Sequence, residues 1–193
     1  MDLDSDKINN INLSKFVKFI EHQQSEQEIS FLLGDAGREH YKLLAYLSTL
    51  YDNEILIDLG TYRGLSALAL SYNKKNKVVT FDIEKCTGNN NNQLKPDNCY
   101  NIIFMLDNIL EFPNRYMDLL KKAKIICLDV DPHDGIKEPD FLKIIIESGF
   151  KGIIVCDDIN LNNNMKNWWN SVTLEKYDIS KYGHWSGTGL IQA

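Results

Sequence analysis

No stretch of this sequence approaches the ~20 consecutive apolar residues that a membrane helix needs. The N-terminus, Met1-Asp-Leu-Asp-Ser-Asp6, lacks the basic-then-apolar order of a secretory signal. Both absences lead us to expect a cytoplasmic protein without a membrane partner. Positive charge is not in excess either: 21 Lys and Arg stand against 27 Asp and Glu, a net charge of −6. A phosphate-tracking surface is marked by clustered Lys and Arg, so nucleic acid is not the expected partner. Cysteine is limited to Cys86, Cys99, Cys127 and Cys156, with no CxxC pair, which argues against zinc. Cys127 and Cys156 fall inside apolar runs, as small buried thiols do. A Cys86–Cys99 bridge fits the spacing, but a reducing compartment opposes it, and all four are expected to be reduced.

What is present fits one domain over 1–193, with an N-terminal helical segment at 1–30 and the core at 31–193. At 193 residues the chain is long enough for a sizeable core and too short for two ordinary domains. Residues 1–30 are weakly periodic, with a short amphipathic segment around Phe16, Val17 and Ile20. Apolar spacing of three and four over 38–50 predicts a helix. Short apolar strands are expected at 54–58, 77–81, 101–105, 123–130 and 152–156, with helices at 65–72, 114–122 and 139–148. That alternation predicts an α/β fold: a doubly wound, mainly parallel, Rossmann-like sheet, whose ligands sit beyond the carboxyl ends of its strands. Runs 171–177 and 188–192 are too close for a crossover helix and are expected to form an antiparallel C-terminal hairpin. Asn89 to Asn92 reads as a tolerated surface-loop run without function.

The first strand runs into Asp58-Leu-Gly60-Thr-Tyr62-Arg-Gly64-Leu-Ser66. Glycines let a strand turn sharply and let backbone approach a ligand, and the next helix presents unpaired N–H groups to it. Asp82, 22 residues after Gly60, stands where a carboxylate accepts from a ribose diol. The spacing is GxxxG rather than the GxGxxG of dinucleotide sites. An acid at Asp58 suits a ligand with an ammonium and a sulfonium and is a poor neighbour for a pyrophosphate. Together these favour S-adenosylmethionine. Asp107, after the third strand, borders the position of an adenine, with a helix-cap role as its alternative.

The next two strands end in acids: Leu128-Asp129-Val-Asp131-Pro-His133-Asp134 and Val155-Cys-Asp157-Asp158-Ile-Asn160. Concentrated carboxylates are costly unless a cation neutralises them, and oxygen ligands suit Mg2+ or another hard divalent ion. Asp129, Asp157 and Asp158 are the candidate metal ligands, with Asp131 an alternative to Asp129. His133 is the candidate general base, with His184 as its rival. Trp168, Trp169 and Trp185 either line a substrate pocket or pack.

Over about residues 31–158 these motifs resemble the metal-dependent class I O-methyltransferases, including catechol O-methyltransferase and the sugar O-methyltransferases of macrolide biosynthesis. Leu33-Gly-Asp-Ala36 is similar to the family's entry segment over the methionine of the cofactor. The run from Asp58 to Ser66 is similar to its (E/D)LGxYxGxS signature. The resemblance implies that Leu33, Asp58, Gly60, Tyr62 and Ser66 serve the methionine moiety and Asp82 the ribose. It places Asp129 and Asp157 at metal-binding positions beside the cofactor. Asp158 departs from the catechol enzymes, which have asparagine there, and resembles the three-aspartate sites of the sugar enzymes. The catechol enzymes' catalytic lysine, three positions after the first ligand, is replaced by Pro132, with His133 following. The implied activity is metal-assisted O-methylation of a small diol-bearing acceptor, a sugar, nucleotide-sugar or catechol-like diol. A homodimer is expected, because the chain carries no elaborate substrate cap. The alternatives are an NAD-dependent oxidoreductase and a non-catalytic S-adenosylmethionine-binding protein.

Overall fold

β-branched and aliphatic runs of five or six residues make the central strands, in a computed structural model that describes residues 3–20, 26–84 and 101–193. In chain order the elements begin with α1 (Ser5–Asn9), α2 (Val17–Ile20), α3 (Glu26–Leu32) and α4 (Tyr41–Ser48). Strands and helices then alternate: β1 (Ile55–Leu59), α5 (Leu65–Leu70), β2 (Lys77–Asp82), β3 (Ile102–Leu106), α6 (Pro113–Lys122), β4 (Ala123–Leu128), α7 (Lys137–Glu147) and β5 (Ile153–Asp157). The chain finishes with α8 (Asn163–Ser171), β6 (Glu175–Asp178) and β7 (Thr188–Gln192). The strands form one seven-stranded sheet in the order β3-β2-β1-β4-β5-β7-β6. Neighbours from β3 to β5 pair in parallel, and β7 runs antiparallel to both β5 and β6. The expected doubly wound sheet with an antiparallel C-terminal hairpin is the fold observed.

Side chains of a strand alternate between faces, and here both faces are covered. Leu56, Ile125, Cys127, Ile153 and Val155 face a layer that includes Leu43, Leu44 and Leu47 of α4 and Leu68 of α5. Ile57, Leu59, Ile126, Leu128, Ile154 and Cys156 face the opposite layer, with Leu120 of α6, Ile145 of α7 and Trp168 and Trp169 of α8. Cys127 and Cys156 therefore sit on opposite faces, both buried and both free thiols. Counting two onward from Leu56, Cys127 and Val155 reaches Asp58, Asp129 and Asp157. The alternation thus directs all three carboxylates to the α4–α5 side of the sheet.

The structure departs from the sequence reading in several places. The hairpin strand expected from 171 starts at Glu175, because Ser171 is the last residue of α8. That helix was not foreseen: its Asn-rich start reads as loop, yet Asn162 caps it by accepting from the Met165 N–H at 3.0 Å. Val172 and Leu174 pack against the core layer under α8, so their alternation reflects packing and not a ladder. The strand expected over 123–130 stops at Leu128, where Asp129 and Val130 turn into the cavities described below. The N-terminal segment carries more than one weak amphipathic stretch, since Leu3, Ile8, Leu13, Phe16 and Ile20 are all buried in the α4 layer. Gly189 is dictated by this packing, since a Cβ there would lie 2.5 Å from the Trp169 ring. Cys86, Cys99 and the run Asn89 to Asn92 lie outside the described residues.

Candidate functional site

Two cavities of about 370 and 860 Å³ open at the carboxyl ends of the parallel strands and share Gly60, Tyr62, Arg63 and Asp129 as lining. The turn after β1 builds their junction. Gly60 adopts φ +100°, and its N–H and that of Thr61 donate to the Phe81 carbonyl at 2.9 and 3.0 Å. A Cβ on Gly60 would stand 1.7 Å from the Asp129 carbonyl oxygen. The glycine thus admits the close approach of β1 and β4, a tighter demand than the approach of a ligand. Tyr62 follows at φ +41° and donates its N–H to Asp82 Oδ2 at 2.8 Å. The second oxygen of Asp82 accepts from the Glu84 N–H at 3.2 Å, so the carboxylate is fixed at the edge of the larger cavity.

The other cofactor candidates are placed unequally. Ser66, on the first turn of α5, lines the smaller cavity and is buried. Asp58 is fully buried and lines neither cavity; its Oδ2 accepts from Thr80 Oγ1 at 2.7 Å, while Oδ1 has no hydrogen-bond partner. Burial pushes the Asp58 carboxyl up to about 7, against the Thr80 hydrogen bond. Asp107 lines the larger cavity, but Tyr116 and Arg115 donate to its Oδ2 and the Asn108 N–H to its Oδ1 at 2.8 Å. The hydrogen bond from Tyr116 leads the effects that hold the Asp107 carboxyl below its ordinary range. Leu33 lies in the turn after α3 and lines neither cavity. Gln27, Glu28 and Phe31 of that helix line the smaller one instead, with buried Glu28 paired to Arg63.

At the other end, the strand ends bring Asp129, Asp157 and Asp158 to the smaller cavity, together with two histidines. His40, the residue before α4, directs Nδ1 to Asp157 Oδ2 at 3.2 Å and holds Nε2 3.4 Å from Ser66 Oγ. His184, in the loop before β7, places Nδ1 3.4 Å from the same Asp157 oxygen and 3.1 Å from Asp158 Oδ1. Pairing of Asp157 with Thr188 fixes that loop, and the His184 N–H donates to Thr188 Oγ1 at 2.7 Å. Ser186 donates its hydroxyl to Asp158 Oδ1 and lies 2.7 Å from His184 Nδ1. His133 stands at the larger cavity, 3.6 Å from carboxylate oxygens of Asp129, Asp131 and Asp158. The Asp131 side chain points outward and is 90% exposed. Tyr62, His133 and Asp158 are three of the four non-glycine residues at positive φ among the described residues. Left-handed backbone at such residues costs energy and concentrates where a structure is held for function.

Charge explains how this crowd of acids is tolerated. Burial, with the charge of Asp157 added, pushes the Asp129 carboxyl up to about 7. Burial also works to raise Asp157, but the charges of His40 and His184 outweigh it and hold that carboxyl far below its ordinary range. Burial opposes protonation of His40, yet the charge of Asp157 carries its imidazole up to about 9. Against burial again, hydrogen bonds to Asp157 and Asp158 carry His184 up to about 10. The two imidazoles beside Asp157 thus offset part of the charge of the acids around them.

Among the described residues, one group of three ligand-type side chains has donor atoms all within 4.8 Å of one another: His40, Asp157 and His184. The three aspartates expected to share a cation are all present at this end, but only Asp157 belongs to that group. The sequence reading missed His40, Glu39, Glu28 and Ser186. His40 left a faint trace, a polar residue abutting the start of a buried helix. Trp168 and Trp169 pack in the core, and Trp185, 69% exposed, lines the smaller cavity.

No family model matches the chain, and no curated protein matches it. Solved structures do match. A protein described as a candidate caffeoyl-CoA O-methyltransferase from Staphylococcus aureus aligns with a TM-score of 0.62 at 13% identity, over 93% of this chain and 98% of that one. A methyltransferase from Geobacter sulfurreducens gives 0.59 at 11% identity, covering 95% and 99%. The O-methyltransferase TomG from Streptomyces achromogenes, solved with S-adenosylmethionine, gives 0.57 at 13% identity, covering 100% and 99%. The fold is that of the class I S-adenosylmethionine-dependent methyltransferases.

Proposed function

We propose that the chain is an S-adenosylmethionine-dependent O-methyltransferase acting on a hydroxyl of a small diol-bearing acceptor, a sugar or nucleotide-sugar in preference to a catechol. The observation that carries this reading is the junction of the two cavities at Gly60, Tyr62, Arg63 and Asp129. One side of it is shaped for a nucleoside and the other lined by acids and imidazoles, which is where a methyl donor and an acceptor would meet. The larger volume, about 860 Å³, lies in the range of cofactor pockets. Asp82 is aligned there by two backbone N–H groups for a ribose diol. The acids Asp129, Asp157 and Asp158 along the smaller cavity suit a ligand with positive charge and are poor neighbours for a pyrophosphate. That is the argument against a nicotinamide dinucleotide. Leu33 lines neither cavity, and in this reading Phe31 of the preceding helix takes the role expected of it.

The cofactor, when bound, supplies an electrophilic methyl on sulfur. The protein's part is to orient the acceptor and receive the hydroxyl proton. His133 is the base in this reading, because its ring lies at the larger cavity, 3.6 Å from carboxylate oxygens of Asp129 and Asp158 that would orient it, and Asp129 lines both cavities. His133 would receive the acceptor hydroxyl's proton, and the lining residues would hold that oxygen in line with the methyl–sulfur bond that breaks, its electron pair leaving on sulfur as a neutral thioether, with rate gained mainly from positioning. Asp107, already engaged by Arg115 and Tyr116, would present its carboxylate edge to the adenine. A divalent cation held at Asp157 belongs to the proposal and would supply Lewis-acid polarisation of an acceptor oxygen. Exposed Tyr62, Ile83 and Trp185 at the cavity mouths offer a second copy something to cover, in line with a homodimer.

Calorimetry with S-adenosylmethionine and with NAD, followed by transfer of a labelled methyl to a panel of nucleotide-sugars and catechols, tests the reading. Binding of S-adenosylmethionine with transfer to a sugar hydroxyl is expected. Preference for NAD, or cofactor binding with no transfer to any diol, would overturn it. Light scattering of the purified chain decides the dimer.

A further inference from the structure

We infer that His40, Asp157 and His184 form a two-histidine, one-carboxylate site for a first-row transition ion such as Mn2+, Co2+ or Zn2+, in place of a magnesium site. The three side chains come from remote parts of the chain: the residue before α4, the end of β5 and the loop before β7. Each is fixed by the fold independently of any ion. Sheet alternation sets the side of Asp157, the start of α4 brings His40 over it, and the β5–β7 ladder brings up His184.

The donor geometry is compact. Both imidazoles turn the same nitrogen, Nδ1, to one oxygen of Asp157, at 3.2 and 3.4 Å. Ligands about 2.1 Å from a common ion stand roughly 3.0–3.4 Å apart along the edges of an octahedron or tetrahedron. The opposite nitrogens each face a polar group outside the trio, His40 Nε2 within hydrogen-bond reach of Ser66 Oγ at 3.4 Å and His184 Nε2 near Glu39 Oε2 at 3.8 Å. Outer partners of this kind fix the tautomer and orientation of metal-binding histidines.

A second observation marks the site. His40 Nδ1 is buried within a residue only 4% exposed, lines the smaller cavity, and makes no well-angled hydrogen bond despite its closeness to Asp157. Asp158 Oδ1, 3.1 Å from His184 Nδ1 and bonded by Ser186, is at hand as a further ligand. The remaining positions face the cavity of about 370 Å³, so the site would stay open to a substrate oxygen. The chemistry of the donors then selects the ion. Imidazole nitrogen suits the later first-row metals, whereas Mg2+ takes oxygen ligands in near-octahedral order and keeps its waters.

Only the ion's use in methyl transfer rests on the proposed function; its binding does not. The test therefore needs no cofactor or acceptor. The full chain is freed of metal with a chelator and titrated with Co2+, Mn2+ and Mg2+ by calorimetry, with the visible spectrum of Co2+ as a direct report of nitrogen ligation. One Co2+ per chain with imidazole-type d–d bands is expected, with Mg2+ unable to compete at equal concentration. His184→Gln and His40→Ala should each weaken Co2+ by more than about 100-fold, since changes even to outer partners cost 10–100-fold. His184 lies at the cavity edge, so H184Q remains informative if H40A fails to fold, circular dichroism being the check. Asp129→Asn should change the affinity by less than about tenfold. Mg2+ binding as tight as Co2+, unchanged Co2+ binding in H184Q, greater loss in D129N than in H184Q, or no ion bound at all would each overturn the inference. Ion binding without methyl transfer to any acceptor would leave it standing and count against the proposed function alone.

Discussion

The two ends of the long cleft are built on different plans. At the end proposed for the cofactor, nine consecutive residues from Asp58 to Ser66 supply the turn, and backbone groups do most of the positioning: Gly60 and Thr61 donate to Phe81, and Tyr62 to Asp82. At the acid end the positioning is by side chains, and His40, Asp157 and His184 are separated by more than a hundred residues of chain between the first two. The first plan depends on local conformation and tolerates little change in backbone. The second depends on three elements docking correctly and on charges that balance only when all are in place. Substitutions should therefore fail in different ways at the two ends.

The largest effect is expected from Asp157→Ala. It removes the carboxylate that both imidazoles face, and kcat/KM for methyl transfer should fall by at least about 10³-fold, roughly 4 kcal/mol. Affinity for S-adenosylmethionine, measured by calorimetry, should change only a few-fold. Equal losses in both would mean that the two ends are not separable.

The same division explains what was legible in the sequence. Strands β1 to β5 could be read because each is a bounded apolar run, and the cofactor turn because it is contiguous. Asp129 and Asp157 were visible as acids closing such runs. His40 was not, since nothing local distinguishes it. It matters because α4 packs against the same face of the sheet to which alternation directs Asp129 and Asp157. Helix α8 escaped because its polar Asn-rich start carries no apolar period, and what identifies it is the burial of Met165, Trp168 and Trp169.

Next in size is a pH effect on stability at the junction of the two plans. Asp58 holds its proton in the folded state up to about 7, while an unfolded aspartate loses it near 3.8. The folded state binds more protons across that window, so this group makes stability fall as pH rises from about 4 to about 7, by on the order of 4 kcal/mol. Asp58→Asn keeps an acceptor for Thr80 but cannot ionise. Its stability relative to the parent, from urea unfolding, should improve by about that amount over the window; a constant difference would show that Asp58 is ionised throughout.

Gly60→Ala should destabilise the fold by about 3 kcal/mol, through both the positive φ and the clash with the Asp129 carbonyl. Thermal unfolding measures it, and a loss below about 1 kcal/mol would mean that the β1–β4 approach relaxes easily. The smallest effect belongs to Asp82→Ala. Loss of the aligned carboxylate should weaken S-adenosylmethionine by about 30–100-fold, some 2–3 kcal/mol for charged hydrogen bonds, with turnover at saturating cofactor nearly retained. A drop in kcat as large as that from Asp157→Ala would erase the contrast between the two ends.

Strand β7 follows β6 in sequence yet lies between β5 and β6. During synthesis, a chain that has emerged through α8 already holds its glycine turn and Asp157, but β5 still presents an open edge, a hazard for pairing with other chains. Residues 184–192 then close that edge and deliver His184 in the same movement. Placement of His184 in the acid end is thereby tied to closure of that edge.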